Sequence, residues 1–304
     1  MNAVPDGYPA LPPGSLIGVV APAGPMDAER LARVPALYEA FGYRCRLYPC
    51  CAPRDGYLAG PDASRLADLH AALADPEVAA IHAVRGGYGC MRILDGVDTA
   101  LLRANPKLLI GYSDLTALHA LWVRAGLPTL HAPMSDMLLP GREADQQALF
   151  TTLLRGLRAG DVLAPELDAA GLRVPGTARG RLVGGNLSLV AALLGTPWAW
   201  RAEGAILFLE DVNEELYRVD RLLTQLRLAG VFDAVAGFVL GSFTEATSPQ
   251  ALLREMLVPL CKPVLGGWPT GHGTPNRPLP LGLQVELDAA AGRITLREDL
   301  LAAK

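Results

Sequence analysis

Short apolar runs punctuate the first half of the chain: residues 16–20 (LIGVV), 45–49 (CRLYP), 78–84 (VAAIHAV), 107–111 (KLLIG) and 129–133 (TLHAP). Each is too short for a stable helix and leans toward strand-forming residues. Between them the period lengthens. Leu66, Leu69 and Leu73 recur at helical spacing, as do Leu115, Leu118 and Trp122 in the segment 114–124, and 145–157 (DQQALFTTLLRGL) is the last helix of the series. Another helix is expected from the N-cap Asp27 to Gly42, with a kink or break at Pro35. Strands alternating with helices, apolar on both faces, predict a covered parallel sheet. Residues 1–156 therefore read as a flavodoxin- or Rossmann-like α/β domain.

Residues 157–178 are rich in Ala, Gly and Pro without periodicity and read as a linker. From 179 to 304 the pattern is that of a smaller, β-rich α+β domain. A buried-type run (AILFLED, 205–211) precedes a helix over 213–229, whose stripe is Leu216, Val219, Leu223 and Leu226 with Gly230 at the C′ position. Asp211, with Glu214 three residues on, is expected to cap that helix. Near the end, LQVELD (283–288) alternates cleanly, AAAG turns the chain and RITLRE returns it, predicting a hairpin with one wet face.

With 304 residues, two domains are the default, and 51% hydrophobic with 19% charged residues describes an ordinary globular protein. A net charge of −4 with no Lys/Arg block excludes a nucleic-acid partner. The longest apolar stretch is the 14 residues 187–200, already interrupted by Gly195 and Pro197, against roughly 20 for a membrane span. The start of the chain has no basic region before an apolar core and does not read as a signal peptide. Five scattered cysteines fit a reducing compartment, so a soluble, cytoplasmic protein is expected. Cys50 and Cys51 could ligate a metal, but no second cluster joins them; no metal and no cofactor is expected.

The chemistry turns on GYSDL (111–115). Ser113 follows a strand and precedes a helix, where a serine is either a cap or a nucleophile raised at the strand's end. Leu115 stands where a G-x-S-x-G motif has its second glycine, so the motif alone favours the cap. A nucleophilic serine needs a base. His70 reads as surface, His82 and His119 as core. His131 ends a strand, and His272 lies in the Gly/Pro-dense loop GGWPTGHGTPNRP; His272 ranks first and His131 second. A third group must orient the imidazole. Glu210 leaves a buried run with no capping duty, which favours it. The glycine turn RGGYG (85–89) is no phosphate loop, lacking G-K-[ST], yet Gly86 or Gly87 could supply a backbone N–H to an oxyanion beside that of Asp114. Arg85 could hold a product carboxylate bidentately, although a surface arginine reads equally well. A non-catalytic ligand-binding α/β protein, with Ser113 as a plain cap, is the competing class.

Taken together, GVVAPAGP, AVRGGYGCMRILDGVD, PKLLIGYSDLTALH, LVGGNLSLVAALLGTPW, LFLEDVNEELYRVDRLLTQL and GGWPTGHG cover nearly the whole chain in order. They resemble the LD-carboxypeptidases of the S66 serine peptidase group, which also holds immunity proteins that hydrolyse microcin C-type peptide–nucleotides. The resemblance implies a Ser–Glu–His triad falling on Ser113, Glu210 and His272. It implies oxyanion donors from the glycine turn and from Asp114. It further implies a muropeptide substrate, release of terminal D-Ala from a diamino acid during cytoplasmic cell-wall recycling, and a homodimer.

Overall fold

The computed structural model describes residues 7–52, 54–244 and 248–302. All five apolar runs of the first half form strands, in the order Thr129–His131, Leu108–Gly111, Val78–Ala83, Leu16–Val20, Arg44–Leu47, every neighbouring pair parallel. A sixth strand comes from far along the chain: Leu279–Leu281 runs antiparallel beside Thr129–His131. The helix expected from Asp27 is broken as Pro35 requires, into Ala28–Leu31 and Val34–Ala40; the Asp27 carboxylate accepts from the Arg30 N–H at 2.8 Å.

The second sheet has eight strands. Thr177–Asn186, Ile206–Val212, Gly237–Thr244 and Val264–Leu265 are parallel neighbours. The hairpin Gln284–Asp288 and Arg293–Leu296 adds antiparallel to Thr177–Asn186, with Val285, Leu287, Ile294 and Leu296 buried. Residues 157–178 join this sheet as the short edge strands Val162–Leu163 and Arg173–Val174. One apolar cluster runs from Ile17, Ile110 and Leu130 of the first sheet to Leu182, Phe208 and Val239 of the second, so the two sheets share a core.

The capping role expected of Asp211 is not what forms. Asp211 is a buried strand residue, and its carboxylate accepts from Asn186 Nδ2 (2.8 Å), Ser188 N (3.0 Å), Ser188 Oγ (2.9 Å) and the Val212 N–H (2.8 Å). It therefore serves the first turn of Leu187–Ala192 on the neighbouring strand. The following helix starts later, at Leu216–Leu228, with Glu215 at its N-cap and no side-chain cap bond. A buried carboxylate takes the set of donors that satisfies it most fully, and four converge from its own sheet. The rest of that helix follows the sequence pattern: Val219, Leu223 and Leu226 are buried and Gly230 is left-handed.

Candidate active site

Ser113 sits where the Leu108–Gly111 strand ends, at φ +62°, and opens the 3₁₀ turn Ser113–Leu115 that runs into the helix Thr116–Arg124. Positive φ on a residue with a side chain costs about 1–3 kcal/mol and is retained where surrounding structure enforces it. No side-chain cap bond forms at the start of either the turn or the helix. The cap reading thus loses its hydrogen bond, while the strained, strand-end conformation is of the kind a nucleophile elbow has.

The glycine turn lies directly against this serine. A Cβ on Gly86 would come within 3.1 Å of Ser113 Cβ and 3.2 Å of its Oγ, so nothing larger than glycine passes without displacement. Gly87 (φ +107°) has a conformation side chains avoid. Three contacts fix the turn. The Gly24 N–H donates to the Gly86 carbonyl at 3.0 Å. Arg65, wholly buried, donates to the carbonyls of Gly89 (3.0 Å) and Pro22. The Asp114 carboxylate, beside the serine, accepts from the Cys90 N–H at 2.7 Å; burial raises its pKa and these donors hold it down. Asp114 therefore ties turn and serine together through its side chain.

Glu210, in the strand Ile206–Val212, and His272, in the loop after Val264–Leu265, pair with each other. His272 Nδ1 donates to Glu210 Oε2 at 2.7 Å, and the His272 backbone N–H reaches the same oxygen at 3.2 Å. Glu210 is fully buried, while the His272 side chain is 15% exposed. The His272 ring lies 4.8 Å, centroid to centroid, from that of Tyr112, the residue before Ser113. The bond at Nδ1 fixes the orientation of the imidazole. Gly271 allows the approach: its φ is +117°, and a Cβ there would meet Glu210 Oε2 at 2.5 Å.

The His272 loop is anchored across the sheets. Asn276 Oδ1 accepts from the Gly271 N–H (3.0 Å), and the Asn276 N–H donates to Asp145 Oδ1 (2.8 Å) at the start of the helix Glu143–Arg155. Arg142 pairs with Asp145 at 3.3 Å and donates to Thr274 Oγ1. A second seam lies at Thr116, whose Oγ1 accepts from the Asn186 N–H at 3.0 Å; a Cβ on Gly185 would come within 2.5 Å of that oxygen.

The remaining candidates fall elsewhere. His131 is fully buried, its Nε2 3.9 Å from Glu210 Oε1, behind the acid. His82 binds Tyr38 Oη (2.6 Å) and the Pro133 carbonyl (2.9 Å), and His119 the Gly111 carbonyl (2.9 Å); burial pushes both imidazoles down to about 4. His70 accepts from the Asp98 N–H at 3.0 Å. Cys50 and Cys51 are buried thiols pushed up to about 12 by desolvation, and no metal-binding cluster occurs among the described residues. Arg85 is half exposed; it donates to the Pro25 carbonyl at 3.2 Å and stands 4.0 Å from Asp136. Asp136, Asp145, Asn276 and Arg65 escape a reading by sequence. Only Asn276 carried a signal, as a polar residue in the loop of His272.

Family models for the N-terminal domain of LD-carboxypeptidase match residues 17–132, and those for its C-terminal domain match 179–287. A probable murein peptide carboxypeptidase of Bacillus subtilis is 36% identical, over 92% of this chain and 91% of its own length. A murein tetrapeptide carboxypeptidase of Pseudomonas aeruginosa is 33% identical, over 90% and 92% respectively. Among solved structures, the microcin self-immunity protein MccF bound to glutamyl sulfamoyl guanosine superposes with a TM-score of 0.88 at 25% identity, covering 98% of this chain and all of that one. The protein named Microcin C7 self-immunity protein MccF is from Escherichia coli. Two matched halves spanning most of the chain, with relatives similar over nearly their full length, lead to one conclusion: this chain belongs to the LD-carboxypeptidase family of serine peptidases.

Proposed function

We propose that the protein removes the terminal D-amino acid from the tetrapeptide stem of murein, with Ser113 as nucleophile, His272 as base and Glu210 as the orienting acid. The observation that carries this reading is the 2.7 Å His272–Glu210 bond, with the His272 ring against Tyr112, the residue before the positive-φ Ser113. His272 Nε2 takes the Ser113 Oγ proton as Oγ bonds to the carbonyl carbon of the diamino acid. The oxyanion is held by the N–H groups of Asp114 and of Gly86 or Gly87. The imidazolium then gives its proton to the departing nitrogen, the C–N bond breaks and D-alanine leaves. Water, deprotonated by His272, attacks the acyl-serine, and Oγ recovers the proton. Glu210 stays ionised and stabilises the imidazolium. Arg85, next to Gly86, is assigned to hold a substrate carboxylate. Every bond change is supplied by this chain and water.

The same reading places the work in cytoplasmic cell-wall recycling, by a homodimer, with the two lobes divided as 1–156 and 179–304. Five cysteines unpaired with one another support a reducing compartment. No helix among the described residues is long and apolar enough to cross a membrane.

The likeness to MccF, crystallised with glutamyl sulfamoyl guanosine, supports a second reading, in which the same triad cleaves an aminoacyl nucleotide amide. The two separate in one assay. The protein is incubated with a murein tetrapeptide and, separately, with an aminoacyl sulfamoyl adenosine, and released D-alanine and released amino acid are measured. D-Alanine release that vanishes in Ser113→Ala supports the first reading; cleavage of the nucleotide conjugate alone refutes it.

A further inference from the structure

Beside the glycine turn stand two aromatic rings that the proposed chemistry leaves unused. Tyr57 and Tyr88 are 65% and 49% exposed, and they meet edge to face, centroids 5.6 Å apart with 66° between planes. Tyr88 belongs to the glycine turn, two residues beyond Gly86, so at most about 7 Å of backbone separates it from the residue touching Ser113. Tyr57 lies in the loop after the strand Arg44–Leu47. A Cβ on Gly24 would meet both the Gly86 carbonyl (2.8 Å) and the Tyr57 carbonyl (3.6 Å).

Beside the rings stands a polar pair. Arg92 Nε donates to both oxygens of Asp62, at 3.0 and 2.9 Å, and both phenols lie within electrostatic reach of its guanidinium. Arg92 and Asp62 are 43% and 35% exposed, so the pair opens to the same solvent as the rings. Large exposed rings held in mutual contact are a preformed apolar platform with phenol hydroxyls at its edge. A planar donor fork and a carboxylate add fixed directional partners. A pyranose matches that composition: its C–H face packs on an aromatic ring, while its hydroxyl and acetamide groups take the planar donors and acceptors.

Reach agrees. A carboxypeptidase that removes the last residue of a tetrapeptide leaves three residues between the cut and the sugar, about 10 Å of extended chain. Tyr88 stands two residues along the turn from Gly86, whose Cβ position lies 3.1 Å from Ser113 Cβ, within that length. Resting on the murein reading for the identity of the ligand, we infer that Tyr57 and Tyr88, with Arg92 and Asp62, form a subsite for the amino sugar to which the stem is attached.

The test compares wild type with Tyr57→Ala and Tyr88→Ala on two substrates, the bare tetrapeptide and the same stem on N-acetylmuramic acid. The ratio of kcat/KM for the sugar-bearing over the bare stem is expected to fall about tenfold in each variant, through KM, which is the worth of one aromatic contact. A general disturbance of the turn lowers both substrates and leaves the ratio at its wild-type value; that result in both variants overturns the subsite. A second measurement does not need turnover. N-acetylmuramic acid is titrated into Ser113→Ala protein carrying labelled tyrosine, and the ring resonances of Tyr57 and Tyr88 are followed. Shifts at both support the subsite even if neither peptide is cleaved, in which case only the murein reading falls. Unmoved rings at millimolar sugar overturn it.

Discussion

Asp145 never touches the catalytic groups, yet its removal should slow acylation of Ser113. The path is short and runs through hydrogen bonds: Asp145 Oδ1 to the Asn276 N–H at 2.8 Å, Asn276 Oδ1 to the Gly271 N–H at 3.0 Å, then His272 itself. Asp145 and Asn276 are 2% and 3% exposed, so water cannot replace a lost partner without the loop moving. Asp145→Ala strands the Asn276 N–H, and a stranded buried donor costs about 1–3 kcal/mol. The loop can relieve that cost only by shifting, and His272 shifts with it. If the whole cost reaches the transition state, the rate falls by about 5- to 150-fold. Asp145→Asn keeps a carbonyl acceptor for Asn276 and loses only the charge facing Arg142, so its rate should stay within about threefold. The assay is the second-order rate of Ser113 labelling by a phosphonofluoridate, read by intact mass, beside kcat and KM for D-alanine release. The loss should fall on kcat and on labelling, with KM little changed, and Asn276→Ala should reproduce it. The double variant should be no slower than either single one, since both break one strut. An Asp145→Ala protein that folds and labels at the wild-type rate refutes the strut.

Two more predictions follow from buried groups at the cleft. Burial raises Asp136 to about 6, well above an ordinary aspartate, and its Oδ1 has no partner among the described residues. A raised carboxyl favours the folded state only while protonated, so its contribution is complete below about pH 4 and is lost as pH rises through about 6; Asp136→Asn should therefore stabilise at pH 8 by about 2–3 kcal/mol and by almost nothing at pH 4, as urea denaturation at the two pH values will check. Gly86→Ala places a methyl 3.2 Å from both Ser113 Oγ and Met134 Cε, and kcat for D-alanine release should fall about 100-fold or more with the displaced oxyanion donor, while a wild-type kcat would remove the glycine turn from the oxyanion site.

The parallel sheet was legible because local pattern and tertiary demand coincide there. All five apolar runs became strands, and Pro35 broke its helix where its ring forbids continuation. The serine was legible only by its place between strand and helix; its positive φ, which argues for more than a cap, leaves no mark in the sequence. What stayed hidden depends on partners distant along the chain. Leu279–Leu281 adds to the first sheet from far along the chain, Leu279 lying 148 positions beyond its partner His131, through the register Leu281↔Thr129, Pro280↔Leu130 and Leu279↔His131. Asp211 carried the local signature of a cap and was drawn instead to donors on the next strand. Asp145 and Arg65 look like ordinary helix-surface residues until the fold buries them against the site. Local rules name the elements and some of the chemistry, while the groups that hold the chemistry in place follow from packing.

Ser113 is proposed to be made reactive by the His272–Glu210 pair from the other sheet. Intact-mass analysis after phosphonofluoridate treatment tests it most directly, in wild type, His272→Ala and Glu210→Gln. The account predicts a single adduct on Ser113 in wild type, slow labelling in Glu210→Gln and none in His272→Ala on the same timescale. Equal labelling in all three, or an adduct on another residue, would contradict it.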